Sequence, residues 1–189
     1  MQYLQSAQLA DLEIARVAVL LAAADAVDFA MDLAAYAQKW DGIYGTDDAE
    51  LQKSRAEREW HSTWARLAPL ADAPLRQLSE RMPPQNVRCM DIGCGTSTLG
   101  IDLCVAHNFG HLSLLDASAV CIARHEAAAA GRTAPPAITA LVGDARVLPD
   151  GSYDVLIEKG TLDALDSADD QRAMLGECCR VLAPSGLLL

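Results

Sequence analysis

The fold is decided by residues 87–100, which read Val-Arg-Cys-Met-Asp-Ile-Gly-Cys-Gly-Thr-Ser-Thr-Leu-Gly. An apolar strand ending at Asp91 leads directly into a tight turn that holds Gly93 and Gly95. In an open parallel sheet, ligands bind beyond the carboxyl ends of the strands, and glycine lets the backbone approach a ligand with no Cβ in the way. The stretch therefore predicts a site for a nucleotide-like cofactor at the first strand-to-helix turn.

Three further strand-like segments follow, at residues 111–116, 138–145 and 153–160. The first ends at Asp116, where a Rossmann-like unit hydrogen-bonds both hydroxyls of a ribose. The second ends in an acidic turn at Asp144, and the third ends at Glu158. Successive βα units with polar residues at one end of the sheet predict an α/β fold with parallel strands flanked by helices.

This series of motifs resembles the cofactor half of class I S-adenosylmethionine-dependent methyltransferases, whose sheet is Rossmann-like. A nicotinamide enzyme is the alternative, but its fingerprint needs a third glycine for close helix packing and a pyrophosphate at the helix N-terminus. Thr98 occupies that third position. S-adenosylmethionine has no pyrophosphate, so two glycines and acidic groups near a cationic ligand suffice, and Asp91 suits that charge.

A narrower resemblance lies in residues 158–165, Glu-Lys-Gly-Thr-Leu-Asp-Ala-Leu. They are similar to the Asp-Lys-Gly-Thr-Leu-Asp segment of a methyltransferase-like subfamily that includes lysine methyltransferases of elongation factor 1-alpha and citrate synthase. Residues 39–44 resemble the subfamily's Tyr-Trp-Asp-x-x-Tyr, departing at Lys39, and residues 58–61 resemble its Phe-Glu-Trp-Tyr, departing at both ends. The likeness covers about residues 39–189.

The resemblance implies which residues would bind the cofactor S-adenosylmethionine. Gly93 and Gly95 would line its methionine part, Asp116 would hold the ribose, and Asp144 with Ala145 would meet the adenine. The upstream aromatic residues would form a lid, although packing in the core is an equally good explanation for large aromatic side chains. The expected cofactor-binding residues are Trp40, Tyr44, Trp60, Asp91, Gly93, Gly95, Asp116, Ala117, Asp144, Ala145 and Glu158.

The expected reaction is the in-line transfer of a methyl group to the amine of a protein lysine. Alignment of donor and acceptor and exclusion of water supply most of the catalysis. A lysine amine has a reference pKa of about 10.4 and must lose a proton before it attacks. Glu158 and Asp163 are the predicted catalytic carboxylates. A small-molecule methyltransferase and a non-catalytic scaffold with this fold remain as alternatives.

Composition and charge narrow the class of partner. The chain has 189 residues, 51% of them hydrophobic, which is enough for one substantial core. Its net charge of −11 disfavours nucleic acid, because phosphate contacts need clustered lysines and arginines. A protein substrate with a basic patch is the expected partner, in the cytoplasm and without a membrane. The sequence leaves the oligomeric state open.

Cysteine and histidine spacing gives no metal site. The six cysteines form no Cys-x-x-Cys pair, and most lie within predicted strands or helices. Reduced, buried thiols are therefore expected. The four histidines have no ligand spacing, and no nucleophile–histidine arrangement indicates a hydrolase.

Two regions are expected along the chain: an N-terminal helical extension with the cofactor lid at residues 1–81, and the methyltransferase core at 82–189. The apolar residues 14–24 are too few to span a bilayer. A loop is predicted from Asp41 into a charged helix that reaches Arg58. Helices are predicted at residues 60–81, 117–130 and 169–182, and a last strand at 186–189. This fold normally continues with a further helix and strand pair, so the core is expected to be incomplete at its C-terminal end.

Overall fold

The computed structural model describes residues 33–45 and 62–189. Their elements, in chain order, are α1 (Leu33–Tyr44), α2 (Trp64–Arg81), a 3-10 turn (Pro84–Asn86), β1 (Arg88–Ile92), α3 (Leu99–His107), β2 (His111–Asp116), α4 (Ala119–Ala129), β3 (Ala137–Val142), β4 (Tyr153–Glu158), α5 (Thr161–Ala164), α6 (Ala168–Val181) and β5 (Leu182–Leu188).

The five strands form one parallel sheet in the order β3-β2-β1-β4-β5. In the middle of the sheet, Asp91 of β1 stands opposite Leu114 of β2 and Ile157 of β4. The chain moves outward from β1 through β2 to β3 and then returns to place β4 on the other side of β1. Ligands of such sheets bind at this reversal, beyond the carboxyl ends of β1 and β4. The predicted α/β, Rossmann-like parallel sheet is confirmed.

Hydrophobic layers cover both faces of the sheet, which is why β1 and β4 read as nearly continuous apolar runs. One layer packs α2 and α3 on the sheet through fully buried side chains such as Leu75, Leu103 and Phe109. The other layer packs α6 through Met174 and Val181. Because α2 shares the core with the sheet, its residues belong to the same folded body as the strands. The predicted boundary at residue 82 stays a prediction.

Three boundaries differ most from those predicted. Residues 41–44 are the last turn of α1 rather than a loop, and the Gly45 amide closes that turn by donating to the Asp41 carbonyl oxygen at 2.7 Å. The next described helix, α2, starts at Trp64 and not at residue 60. The strand β5 begins at Leu182, before the Pro184-Ser-Gly sequence that resembles a turn. A register shift in the pairing with β4 accommodates that sequence. The run at residues 14–24 and the motif at 58–61 lie outside the described residues.

All six cysteines, which were predicted to be reduced and buried, lie within the described residues. All six cysteines are free, and all except Cys179 are buried. Burial raises the pKa of Cys121 and of Cys178 to about 12, so both thiols stay protonated at neutral pH. Among residues 33–45 and 62–189, no helix is both long and apolar enough to cross a membrane.

Candidate active site

A cavity of about 280 Å³ lies at the carboxyl ends of the strands, beside α1. It is bordered by the turns that follow β1, β2, β3 and β4, as expected for a parallel sheet. Its lining residues are Leu33, Tyr36, Trp40, Tyr44, Gly93, Leu115, Asp116, Ala117, Gly143, Asp144, Ala145, Arg146, Lys159, Gly160, Thr161, Asp163, Ala164 and Leu165.

The glycine turn after β1 is built around two left-handed residues, Gly93 with φ +67° and Gly95 with φ +53°. The Gly93 amide donates to the Leu115 carbonyl oxygen at 2.7 Å, which ties the turn to the end of β2. A Cβ on Gly93 would lie 1.9 Å from Thr161 Oγ1, and a Cβ on Gly95 would lie 2.8 Å from Tyr44 Oη. Both glycines therefore make room for side chains of the protein itself. The sequence had indicated only room for a ligand.

Asp116 closes β2 with a carboxylate that is 7% exposed. Its Oδ2 accepts a hydrogen bond from the Gly95 amide and its Oδ1 accepts one from the Ser118 amide, both at 2.8 Å. Burial raises the pKa of Asp116, and the two amides oppose that rise. Each carboxylate oxygen has two lone pairs, so each can accept one further hydrogen bond from a ligand.

The neighbouring His125 is also part of this buried polar group. Its Nε2 lies 2.9 Å from the Gly95 carbonyl oxygen. Burial lowers the pKa of His125, which favours a neutral ring that donates to this carbonyl. The imidazole thus holds the glycine turn through the Gly95 carbonyl.

The helix α1 covers the cavity, and we call it the lid helix. It presents Leu33, Tyr36, Trp40 and Tyr44 to the cavity, a spacing of three or four residues that puts all four on one side of a helix. The rings of Trp40 and Tyr44 stack with their centroids 5.9 Å apart.

Two contacts hold the C-terminal half of the lid helix on α4. Asp41 Oδ1 accepts a hydrogen bond from Ser118 Oγ at 2.5 Å and a weaker one from the Val120 amide at 3.3 Å. Arg124 donates from Nη2 to the Tyr44 carbonyl oxygen at 3.0 Å. Asp41 is therefore a partner for the N-terminus of α4, where a negative charge is favourable.

Asp144, which follows β3, is paired with Arg146, two positions further along the chain. Arg146 Nε lies 2.9 Å from Asp144 Oδ1, and Arg146 Nη2 lies 2.7 Å from Asp144 Oδ2. This two-point contact fixes the orientation of the carboxylate at the edge of the cavity.

The segment after β4 turns sharply at Gly160, whose φ is +93°, and starts the short helix α5. Thr161 Oγ1 donates to the Ile92 carbonyl oxygen at 2.7 Å, which brings this segment against the glycine turn. Asp163 then lies in the lining of the cavity.

Glu158 has a different position. Its Oε1 accepts a hydrogen bond from the Leu162 amide at 2.8 Å, and its side chain borders a second, apolar cavity of about 210 Å³ between α2, α3 and β4. Lys159 borders both cavities.

The structure brings together most of the residues predicted from the sequence. Those that line the main cavity are Trp40, Tyr44, Gly93, Asp116, Ala117, Asp144, Ala145 and Asp163. Gly95 lies behind the cavity, bonded to Asp116. Asp91 is 3% exposed, and its Oδ2 would lie 2.7 Å from a Cβ on Gly100, so its carboxylate packs against the start of α3 and not in the cavity lining. Trp60 lies outside the described residues.

Sequence reasoning missed several lining residues, above all Tyr36 and Arg146. Tyr36 stands one helical turn before Trp40, so extending the helical period upstream would have found it. Arg146 carries no signal on its own, because both of its carboxylate partners and its aromatic neighbour are recognisable only in the fold. Among the described residues, no group of three or more His, Cys, Asp or Glu side chains could hold a metal ion.

Fold and cavity together define a Rossmann-like methyltransferase domain. The sequence profile described as "Methyltransferase domain" matches residues 89–186, from β1 into β5. The chain belongs to this methyltransferase family, as its motifs predict, and the cofactor of the family is S-adenosylmethionine.

Two curated relatives are lysine methyltransferases. The chain is 30% identical to EEF1A lysine methyltransferase 4 of Bos taurus over 164 residues, 79% of this chain and 57% of that protein. It is 34% identical to the mitochondrial citrate synthase-lysine N-methyltransferase of Pongo abelii over 136 residues, 61% of this chain and 54% of that protein. The chain spans just over half the length of these curated relatives.

Solved structures share the fold at low sequence identity. An S-adenosylmethionine-bound amino pentose methyltransferase, CalS10 of Micromonospora echinaspora, superposes with a TM-score of 0.52 at 20% identity, covering 76% of this chain and 55% of that one. An S-adenosylmethionine-dependent methyltransferase of Leishmania major gives a TM-score of 0.55 at 16% identity, covering 81% and 59%. At such identities the likeness concerns the fold alone.

Proposed function

We propose that this chain is an S-adenosylmethionine-dependent methyltransferase whose acceptor is a lysine of a protein. The observation that carries the proposal is the cavity at the carboxyl ends of the strands, where Asp116 and Asp144 lie beneath an aromatic lid helix. Membership of the methyltransferase family gives that cavity its cofactor class.

The residues present fit such a cofactor. The cavity volume of about 280 Å³ lies near the lower end of the roughly 300–1,000 Å³ of small-molecule pockets. Carboxylates line it and a positively charged ligand would balance them, while the rings of Trp40 and Tyr44 offer faces for a planar base or a cation. When bound, S-adenosylmethionine supplies a methyl group on a positively charged sulfur.

The residues of the chain would bind the cofactor, orient it and exclude water from the site. Asp116 has one acceptor position left on each oxygen, which matches two adjacent hydroxyl groups. Asp144 and Ala145 border the part of the cavity that follows β3, where an adenine would lie. The lid helix closes the cavity from the solvent side, and a dry site strengthens the electrostatic interactions inside it.

The methyl acceptor needs a group that favours or receives its proton. A lysine amine has a reference pKa of about 10.4, so at neutral pH it arrives charged. We assign this role to Asp163, which lines the cavity, with Glu158 as the second candidate on the far side of Lys159. A carboxylate beside the ammonium group can accept this proton before the nitrogen attacks.

The protein-lysine acceptor draws its support from the two curated relatives, at 30% and 34% identity. The net charge of −11 adds the expectation that the substrate carries a basic patch. The cytoplasm stays a prediction, and one of the two relatives is named as mitochondrial. The experiments below distinguish a protein-lysine acceptor from two alternatives, a small-molecule acceptor and a non-catalytic scaffold.

Calorimetric titration with S-adenosylmethionine tests the cofactor site. We expect micromolar affinity, roughly −8 kcal/mol, and its loss in Asp116→Asn, which removes the charge but keeps the shape. Asp154→Asn is the matched control, because Asp154 Oδ2 also accepts a backbone amide, from Arg88 at 2.9 Å, at the opposite end of the strands. Equal affinity of Asp116→Asn and the parent chain would overturn the assignment.

The pH dependence of this affinity gives a second readout. Since burial raises the pKa of Asp116, protonation begins at a higher pH than for an exposed aspartate. The neutral acid is a poorer acceptor, so affinity should fall as the pH is lowered toward that pKa. The control Asp154→Asn should keep the pH dependence of the parent chain.

Transfer of a labelled methyl group in a cell lysate tests the acceptor class. Label in protein bands that disappears with Asp163→Asn, at unchanged cofactor affinity, is the expected result. Label in the small-molecule fraction instead would show a small-molecule enzyme. Binding without transfer to either fraction would favour the scaffold.

A further inference from the structure

Arg146 is the most heavily bonded side chain at the cavity. Its side chain is 3% exposed, and it pairs with two carboxylates from different parts of the chain. Nε and Nη2 bond to Asp144, while Nη1 lies 2.7 Å from Oδ1 of Asp170 in the first turn of α6. Arg146 therefore joins the turn after β3 to α6.

The same guanidinium lies over a ring of the lid helix. Arg146 Cζ lies 5.2 Å from the centroid of the Tyr36 ring, within the range of a cation–π contact. Tyr36 is 5% exposed, and its hydroxyl accepts a hydrogen bond from the Asp166 amide at 3.1 Å. The N-terminal half of the lid helix thus lies on Arg146, while its C-terminal half is held by Ser118 and Arg124.

The charges explain how a cation can border a site for a positively charged ligand. Arg146 donates hydrogen bonds to two carboxylates, which hold its pKa above its ordinary value. One positive and two negative charges leave the cluster negative. Arginine suits this position better than lysine. A planar guanidinium can donate to two carboxylates along its edge and still pack its face on an aromatic ring, whereas an ammonium group has no such edge and face.

We propose that Arg146 is a positioning residue that holds the lid helix closed through Tyr36 and keeps the Asp144 carboxylate directed at the cofactor. It takes no part in the chemical step. The part of the inference that concerns the cofactor rests on the proposed function, whereas the part that concerns the lid helix does not need a ligand.

Hydrogen exchange of the ligand-free chain tests the lid. Arg146→Lys keeps the charge and loses the fork, and Tyr36→Leu removes the ring without touching either ion pair. Both should speed exchange of the amides in residues 33–44 by about tenfold, the effect of losing one desolvated cation–π contact. If Arg146→Lys does not fold, Tyr36→Leu decides by comparison with Tyr36→Phe, which loses the same hydrogen bonds to Asp166 and keeps the ring. Unchanged exchange in residues 33–44 would overturn the proposal.

Arg180→Lys is the matched control. Arg180 joins the same helix α6 to the same connection between β3 and β4, through Asp150 at 2.8 Å and the Leu148 carbonyl oxygen at 2.7 Å, outside the cavity lining. If Arg146 merely attached α6, the two lysine variants would behave alike. Equal acceleration in residues 33–44 by Arg180→Lys would therefore refute a specific role for Arg146.

Affinity for S-adenosylmethionine separates this inference from the proposed function. We expect both Arg146→Lys and Tyr36→Leu to weaken binding, and the double variant to be no weaker than Arg146→Lys, because the two residues act through one contact. Strictly additive losses would contradict that coupling. If the parent chain does not bind the cofactor, the proposed function fails, and hydrogen exchange still decides whether Arg146 holds the lid.

Discussion

Gly93 and Thr161 show how one residue depends on another that lies far away along the chain. The glycine supplies a left-handed φ, and its missing Cβ leaves the space that Thr161 occupies while bonding the Ile92 carbonyl oxygen. The turn after β1 and the segment after β4 are thereby joined directly under the cavity. A side chain at position 93 would push these two walls apart.

Gly93→Ala should lower the free energy of unfolding by at least about 2 kcal/mol, since the left-handed backbone alone costs an alanine roughly 1–2 kcal/mol. The control is Gly176→Ala in α6, where a Cβ meets nothing within 4 Å. It should stabilise the chain by about 0.5–1 kcal/mol. Urea unfolding of both variants measures the difference, and equal stabilities would contradict both the backbone cost at Gly93 and the clash with Thr161.

For single residues, the sequence indicated which carboxylates belong to the site better than it indicated where their side chains point. Asp116 and Asp144 were predicted because the end of a strand defines where their side chains lie. Asp91 and Glu158 also stand at strand ends, yet their carboxylates are directed to Gly100 and to the Leu162 amide. Such partners depend on how helices pack on the sheet, which strand-end position alone does not determine.

Elements of this domain are delimited by local hydrogen bonds, and two serines illustrate this. Ser118 precedes α4 and accepts a hydrogen bond from the Cys121 amide, and Ser167 precedes α6 and accepts one from the Asp170 amide. Only Ser118 also donates to the lid helix, through Asp41. The start of α4 is therefore coupled to the closure of the cavity.

Ser118→Ala and Ser167→Ala should each cost about 1 kcal/mol of unfolding free energy, the usual value of a lost N-cap. Their effects on the lid helix should differ. Limited proteolysis within residues 33–44 should accelerate in Ser118→Ala only, because Asp41 then loses its hydroxyl partner. Equal proteolysis of the two variants would mean that Asp41 contributes nothing to holding the lid helix.

The strand β2 matches its predicted limits, and β4 starts at Tyr153 as predicted, since both strands adjoin a change from apolar to polar residues. The predicted loop from Asp41 was wrong at the end of the lid helix, because Gly42 and Gly45 resemble a loop when they are read alone. In the structure, Gly42 continues the helix and Asp41 is bonded to α4. A long-range contact here overrides a local preference.

The molecule as a whole carries a net charge of −11, and acidic side chains also lie at the cavity. Asp163 lines it, and Asp166 and Asp169 on the following turns are exposed. A substrate with clustered lysines would be attracted over a distance of about 10 Å at 0.1 M salt. Charge of this kind affects the rate of encounter more than the fold.

The KM for a basic protein substrate should therefore rise severalfold as salt is raised from about 0.05 M to about 0.3 M. The affinity for the cofactor should change little, because its contacts are enclosed. Steady-state kinetics and titration at each salt concentration provide the comparison. A KM independent of salt would argue against electrostatic recognition of the substrate.

The parallel sheet could be predicted as a whole because four βα units in succession admit few arrangements. The site could be predicted only in part. Tyr36, Arg146 and Asp170 converge from a helix, a turn and a second helix, and no motif in the sequence joins them. Motifs indicate the residues that face a ligand, and the fold reveals those that hold them in position.

The placement of β4 beside β1 has a kinetic consequence. Met90 and Leu156 are strand neighbours although they are far apart along the chain, and the wall of the cavity that follows β4 is not in place until that pairing has formed. Pairings between strands so distant in sequence form slowly, since the loop must be closed before its contacts stabilise it. The ability to hold a ligand should consequently arise late in folding, after α3 and β2 have already assembled on β1.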